Sequence, residues 1–307
     1  MASVICISLS TMTEVSPPAA TLLCLGNFDG VHLAHRALLE NATKLRSRLS
    51  ADTACGVFCF SAPTADYLMP TPPPHLCTLE QKLALFRECG MDYAFVADFP
   101  SVRNLSPSDF IQRILKDQCN CVGAVCGFNF KFGKNGSGTA NFLRDHLGFP
   151  VEIRDAITLG EEPVSSTRIR RLLLEGKVKD AKELLCRPYS FSAPVIHGKH
   201  LGHKLGAPTV NQNIPSEMLI PAFGVYITDC EIDGRHFRGV TNVGVRPTVE
   251  TDAHVNCETY LLDFEGDLYE KTVTVAFLDR IRPEKQFASK EELQEQIHKD
   301  IQTAKNY

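Results

Sequence analysis

Residues Thr21 to His35 read T-L-L-C-L-G-N-F-D-G-V-H-L-A-H. Five apolar or β-forming residues run into a turn bounded by Gly26 and Gly30, and Val31–Leu49 follows with Leu38, Ala42, Leu45 and Leu49 on one side of a helix. Strand, glycine turn and helix in that order form the repeating unit of a parallel α/β sheet. The same alternation continues downstream. T-A-C-G-V-F-C-F precedes a helical pattern at Leu79–Cys89, Y-A-F-V-A precedes one at Pro107–Lys116, and V-G-A-V-C precedes a glycine-rich loop. Upstream, M-A-S-V-I-C-I-S-L-S reads as an opening strand. A parallel sheet covered on both faces is therefore expected, with ligand beyond the carboxyl ends of its strands, where the loops Gly26–Gly30 and Gly127–Gly138 emerge.

Three-residue spacing puts His32 and His35 on one face of the first helical turn. Free backbone N–H groups and the helix dipole favour an anion there, and imidazoles can donate hydrogen bonds to phosphate oxygens. A lone histidine is more often packed or solvated. A pair placed directly after a glycine turn points to phosphate.

After Arg187-Pro188 the pattern changes to short β-like runs: F-G-V-Y-I-T-D-C-E-I, the turn Asp233-Gly234, H-F-R-G-V-T-N-V, N-C-E-T-Y-L-L-D-F and K-T-V-T-V-A-F-L. A D-G pair between two such runs signals a hairpin, and the whole predicts a compact antiparallel barrel. It closes on a helix, because Ser289-Lys290-Glu291-Glu292 reads as a capping box ahead of Leu293, Ile297 and Ile301. The expected domains are 1–186 and 187–307, and Pro70–Pro74 reads as a rigid loop. Early in the second domain lies G-A-P-T-V-N, Gly206 to Asn211, after H-G-K-H-L-G-H-K-L. Small residues there allow close backbone approach to a ligand. Thr209 and Asn211 offer a hydroxyl and an amide oxygen suited to Mg²⁺ and nucleotide phosphates, although a plain hairpin is the alternative.

The chain has 307 residues, a formal net charge of −4 and 12 cysteines. That length suits two cores, and the acidic balance gives no field for a nucleic-acid partner. The cysteines form no paired C-x-x-C sites, so they read as buried thiols of a reducing cytosol, with zinc a minor alternative. The N-terminus lacks the marks of a signal peptide, and no apolar run reaches the roughly 18 residues of a membrane span. A cytoplasmic monomer or weak homo-oligomer without membrane or nucleic-acid partners is expected.

The stretch G-N-F-D-G-V-H-L-A-H resembles the H-x-G-H motif of nucleotidylyltransferases in the form found in bacterial FAD synthetases, with Ala34 where that family usually has glycine. Ser165–Arg170, S-S-T-R-I-R, resembles its second signature, I-S-S-T-x-I-R, and G-F-N-F-K-F-G resembles its G-x-[DN]-F-x-F-G segment. The barrel half resembles a riboflavin kinase through His197-Gly198, Leu205-Gly206, Pro208–Asn211, Asn242–Thr248 and Glu258–Phe264. Together these identify the chain with the bifunctional riboflavin kinase/FMN adenylyltransferase family.

The resemblance implies a Rossmann-like first domain in which FMN phosphate attacks the α-phosphorus of ATP and pyrophosphate leaves. Gly26, Asn27, Phe28, Gly30, His32, His35, Ser166, Thr167 and Arg168 would hold the nucleotide there, with His32 and His35 catalytic. Asn129 and Phe60 would lie near the flavin, although the proline-flanked histidine of many relatives is missing from F-S-A-P. In the barrel it implies riboflavin phosphorylation by ATP. Gly198, Gly206, Pro208, Thr209 and Asn211 would bind the nucleotide, Thr209 and Asn211 the Mg²⁺, and Glu258 would be the base. Asp263 and Asp267 are the alternative carboxylates, while Arg246 and Arg282 are candidates for phosphate or flavin. A weakened adenylyltransferase beside an active kinase, or a flavin- or nucleotide-binding regulator, is the competing expectation.

Overall fold

The computed structural model describes residues 5–9, 19–50, 52–196, 209–245, 255–266, 268–269 and 271–307. The chain divides into two compact units, Met1–Ser166 and Thr167–Tyr307. Gly198, Gly206, Pro208, Arg246 and Asp267 lie outside the described residues.

In the first unit, strands β1 (Ile5–Leu9), β2 (Thr21–Leu25), β3 (Ala54–Phe60), β4 (Tyr93–Ala97), β5 (Cys121–Gly127) and β8 (Val151–Arg154) form one sheet in the order β1-β4-β3-β2-β5-β8. Every neighbouring pair is parallel. Small hairpins, β6 (Lys131–Phe132) with β7 (Gly138–Thr139) and β9 (Thr158–Leu159) with β10 (Glu162–Pro163), decorate it. All five residues of β2 are buried, and alternation sends them to opposite faces. Leu23 and Leu25 join the core of Phe58, Phe95, Ala124 and Ile114, whereas Leu22 and Cys24 join that of Leu39, Val57, Phe86 and Val125. Two cores on two faces are what a continuous apolar strand requires.

From β2 the chain steps through β3 to β4 on one side and then returns to β5 on the other. This reversal is a topological switch point, so the loops after β2 and β5 emerge side by side. The expected Pro107–Lys116 helix is present but wound differently. Ser106 caps one α-turn at Pro107–Asp109, and Phe110–Gln118 continues as a π-helix. Its buried Phe110, Ile111, Ile114 and Leu115 recur at a spacing of four, which the wider turn keeps on one face.

The second unit holds an antiparallel sheet of β11 (Tyr189–Pro194), β12 (Thr209–Asn213), β13 (Gly224–Ile232), β14 (Arg235–Val245), β15 (Val255–Leu261) and β16 (Thr272–Arg282), ordered β11-β16-β13-β14-β15-β12. The sheet curls until its edges meet. Ile196 bridges to Asn211, and the buried Gln212 carboxamide donates to the carbonyls of Ala193 at 2.6 Å and Val273 at 2.8 Å. Curling removes the open edges that a flat sheet would expose. Asp233 and Gly234, with φ of +50° and +76°, make the expected tight turn between β13 and β14. Inside, Tyr226 packs edge-on against Phe277 with centroids 5.2 Å apart.

Helices Ser166–Leu174 and Val178–Leu185 precede the barrel, and Lys290–Lys305 closes the chain. Ser289 caps the last helix by accepting from the Glu292 N–H at 3.1 Å, but Glu292 reaches back to the Ala288 N–H rather than to that of Ser289. The reciprocal half of the box is thus displaced by one residue.

Candidate active sites

The first site grows from the end of β2. Phe28, Gly30 and Val31 all have positive φ, at +51°, +80° and +39°. For a β-branched valine this conformation is strained, and strain of this kind persists only where surrounding contacts impose it. Those contacts are visible. The Phe28 and Val31 side chains are fully buried, the Asp29 carboxylate accepts from the Leu76 N–H at 3.0 Å, and the Gly30 N–H points at Cys77 Sγ, 3.2 Å away. Gly26 faces the Phe28 ring, only 3.2 Å from where a Cβ would lie. Asn27 is exposed at the tip.

His32 occupies the N-cap of the Leu33–Arg46 helix in an extended conformation, and His35 lies in the first turn. Their rings stack with centroids 3.7 Å apart and planes 14° off parallel. Burial pushes the His35 imidazole well below its ordinary pKa, and the neighbouring His32 and Lys82 push the same way. His35 Nδ1 is buried without a hydrogen-bond partner. His35 therefore presents a neutral ring beside His32 at a helix N-terminus, ready to take a hydrogen bond from or give one to an entering ligand. Ala34 sits half-buried within the helix.

Ser166 reaches the same loop, donating its hydroxyl to the Asp29 carbonyl at 2.9 Å instead of capping its own helix. Thr167 is exposed and Arg168 half-buried in the next positions of that helix, which fall in the second compact unit. Asn129 is exposed in the turn after β5, the other loop at the switch point. Phe60 ends β3 within an aromatic cluster, edge-on to Phe58 at 5.5 Å and to Phe99 at 5.3 Å. Lys82 was not singled out from the sequence, yet it is only 3% exposed and its ammonium donates to the Asn27 carbonyl. The signal was present as a lysine in the apolar stripe shared by Leu79, Leu85 and Phe86.

The second site is built by strand register. Asn211 of β12 stands directly opposite Glu258 of β15, which is opposite Asn242 of β14 on its other side. Two positions along, Thr209 faces Tyr260. Directly paired residues project from one face, with Cβ atoms about 5 Å apart, and so do residues two apart on a strand. Thr209, Asn211, Asn242 and Glu258 thus share a face, on which Asn211 is buried, whereas Val210, Gln212, Cys257 and Thr259 alternate onto the opposite face and are all buried. Asn256 donates to Asn211 Oδ1 at 3.1 Å and orients it. A hydroxyl, an amide oxygen and a carboxylate are thus carried on one face, residue types whose hard oxygens suit Mg²⁺. Arg282 is occupied elsewhere, in a two-pronged ion pair with the buried Asp300 at 2.8 to 3.2 Å, and Asp263 is exposed in a turn.

Two family models match the chain in succession: FAD synthetase over residues 15–168 and riboflavin kinase over residues 185–307. A bifunctional riboflavin kinase/FMN adenylyltransferase of Pseudomonas fluorescens is 35% identical over 92% of this chain and 91% of its own length. Proteins of that same description from Bacillus subtilis and Escherichia coli are 32% and 31% identical, over 94% and 95% of this chain and 93% and 94% of theirs. A crystal structure described as a macrolide-efflux protein from Streptococcus pneumoniae superposes with a TM-score of 0.90 at 29% identity, covering 99% of this chain and 100% of that one. Among the described residues, no helix is long and apolar enough to cross a membrane. With a parallel-sheet unit carrying the stacked histidines, an antiparallel unit carrying Asn211 opposite Glu258, and both family models in this order, the chain belongs to the family of bifunctional riboflavin kinases/FMN adenylyltransferases.

Proposed function

We propose that residues 187–307 transfer the γ-phosphate of ATP to the 5′-hydroxyl of riboflavin, and that residues 1–186 join the resulting FMN to the AMP moiety of a second ATP, releasing pyrophosphate. The observation that carries the kinase half is the pairing of Asn211 with Glu258. A primary hydroxyl becomes a nucleophile when a base takes its proton, and Glu258, fixed in direction by β15, is the carboxylate on the shared face. Thr209 and Asn211 would hold Mg²⁺, which offsets charge on the phosphates when bound. In the other half no covalent intermediate is required, so the protein works by position and charge. His32 and His35 would contact the ATP phosphates, with Ser166, Thr167 and Arg168 alongside, and Asn129 and Phe60 would border the flavin.

The 12 free thiols, ten of them buried or partly buried, support a reducing cytoplasmic setting, and the net charge of −4 favours small-molecule substrates over nucleic acid. A monomer or weak homo-oligomer suffices, because one chain supplies every residue of both constellations. Incubating the protein with riboflavin, ATP and Mg²⁺ and separating riboflavin, FMN and FAD by chromatography tests the reading. Both FMN and FAD are expected. FMN without FAD would reduce the N-terminal half to a binding domain, and neither product would refute the proposal.

A further inference from the structure

Helix Leu79–Glu88 begins with a full capping box between Thr78 and Gln81, so its first turn is fixed. Its buried positions are Lys82, Leu85 and Phe86. Phe86 packs edge-on to Phe28 at 5.4 Å, and Phe28 in turn lies 5.1 Å from His35. Lys82 stands one turn before Phe86 and points at the loop between β2 and the histidines. It is 3% exposed, and its Nζ lies 3.3 Å from the Asn27 carbonyl oxygen. Among the described residues that carbonyl is its one hydrogen-bond partner, and no carboxylate forms an ion pair with it. The near acid, Asp29, spends one carboxylate oxygen on the Leu76 N–H.

Burying an ammonium against a single neutral acceptor is costly, and natural proteins retain such a charge where a partner compensates it. Among the described residues no carboxylate supplies that compensating charge, while the helix N-terminus and two imidazoles beside it are arranged for an anion. We propose that Lys82 is a positioning residue of the adenylyl-transfer site: through the Asn27 carbonyl it holds the Gly26–Gly30 loop, and its buried charge awaits the ATP phosphates. The inference rests on the adenylyltransferase reading above. It also links Lys82 to His35, because the cation helps keep that ring neutral in the free protein. His32 bears on His35 in the same sense. Entry of the negatively charged phosphates reverses the local field, so His35 should gain proton affinity when ATP binds.

The test uses the full-length protein with Lys82→Met, which is close in shape and uncharged. The KM for ATP in converting FMN to FAD should rise about ten- to hundredfold, the worth of one charge-assisted contact. Riboflavin phosphorylation should be unchanged, and the melting temperature unchanged or higher, because a buried charge has been removed. His35, followed by NMR of its imidazole, should titrate at higher pH in the variant. A KM for ATP and a His35 titration both matching the unsubstituted protein overturn the proposal; a lower melting temperature alongside them marks Lys82 as purely structural. If the variant does not fold, the unsubstituted protein decides: ATP must raise the His35 titration and adenosine must not, and no shift with ATP overturns the proposal. Failure of the unsubstituted protein to make FAD would instead sink the adenylyltransferase reading, while the His35 titration in Lys82→Met would still report on Lys82.

Discussion

His35 shows how a single side chain is set by its surroundings. Its position in the first helical turn followed from three-residue spacing, but the stacking on His32 shows only in the fold, and the neutral ring follows from burial, from His32 and from Lys82. Because its folded-state pKa is depressed, the folded protein binds fewer protons than the unfolded chain below the ordinary histidine value of about 6.5. The contribution to stability is therefore complete above that pH and is lost as pH falls toward the folded-state value. Urea unfolding at pH 7.5 and 5.5 should show a loss of up to about 1.4 kcal/mol per pH unit from this group. His35→Gln should lessen that loss; an identical pH dependence in the variant would remove His35 as its source. Lys82 was the residue hardest to see, since a lysine in an apolar stripe is more often one that snorkels to solvent.

Elements were the most legible level, because strand and turn signals are local. Tyr93–Ala97 and the Asp233-Gly234 turn are found where the sequence places them. Gly234 has open space around its missing Cβ, so its requirement is purely conformational. Gly234→Ala should cost about 1 kcal/mol in chemical denaturation without altering either activity. Less legible was the partner of the closing helix. That helix presents Asp300, 3% exposed on its side chain, to Arg282, which keeps 18% exposure. Periodicity marked Leu293, Ile297 and Ile301 as the packing face, and these are only half-buried. An ion pair between β16 and a distant helix has no local signature. Asp300→Ala should destabilise by about 2–3 kcal/mol, below the loss at a fully buried pair because Arg282 retains some solvent. A midpoint of denaturation unchanged by Asp300→Ala would show the pair to be dispensable.

For the whole molecule, the consequence of two constellations that share no residue is that the two reactions separate. Glu258→Ala should reduce FMN formation by at least about a hundredfold, the usual worth of a general base, and leave FMN-to-FAD conversion intact. His32→Ala should do the reverse. Equal loss of both steps in folded Glu258→Ala protein would disprove the two-site account, with chromatography of the three flavins as the measurement. By itself the sequence determined the α/β unit followed by the antiparallel barrel, and the motifs G-N-F-D-G-V-H-L-A-H and P-T-V-N, because periodicity, turn chemistry and contiguous motifs are properties of neighbouring residues. Only the tertiary structure decided that β2 and β5 flank the switch point, that Asn211 and Glu258 meet across strands, and that Lys82 is buried beneath Asn27. Glu258 lies 47 positions beyond Asn211 in the chain, and strand order and register, which bring such residues together, are set by how distant apolar surfaces pack.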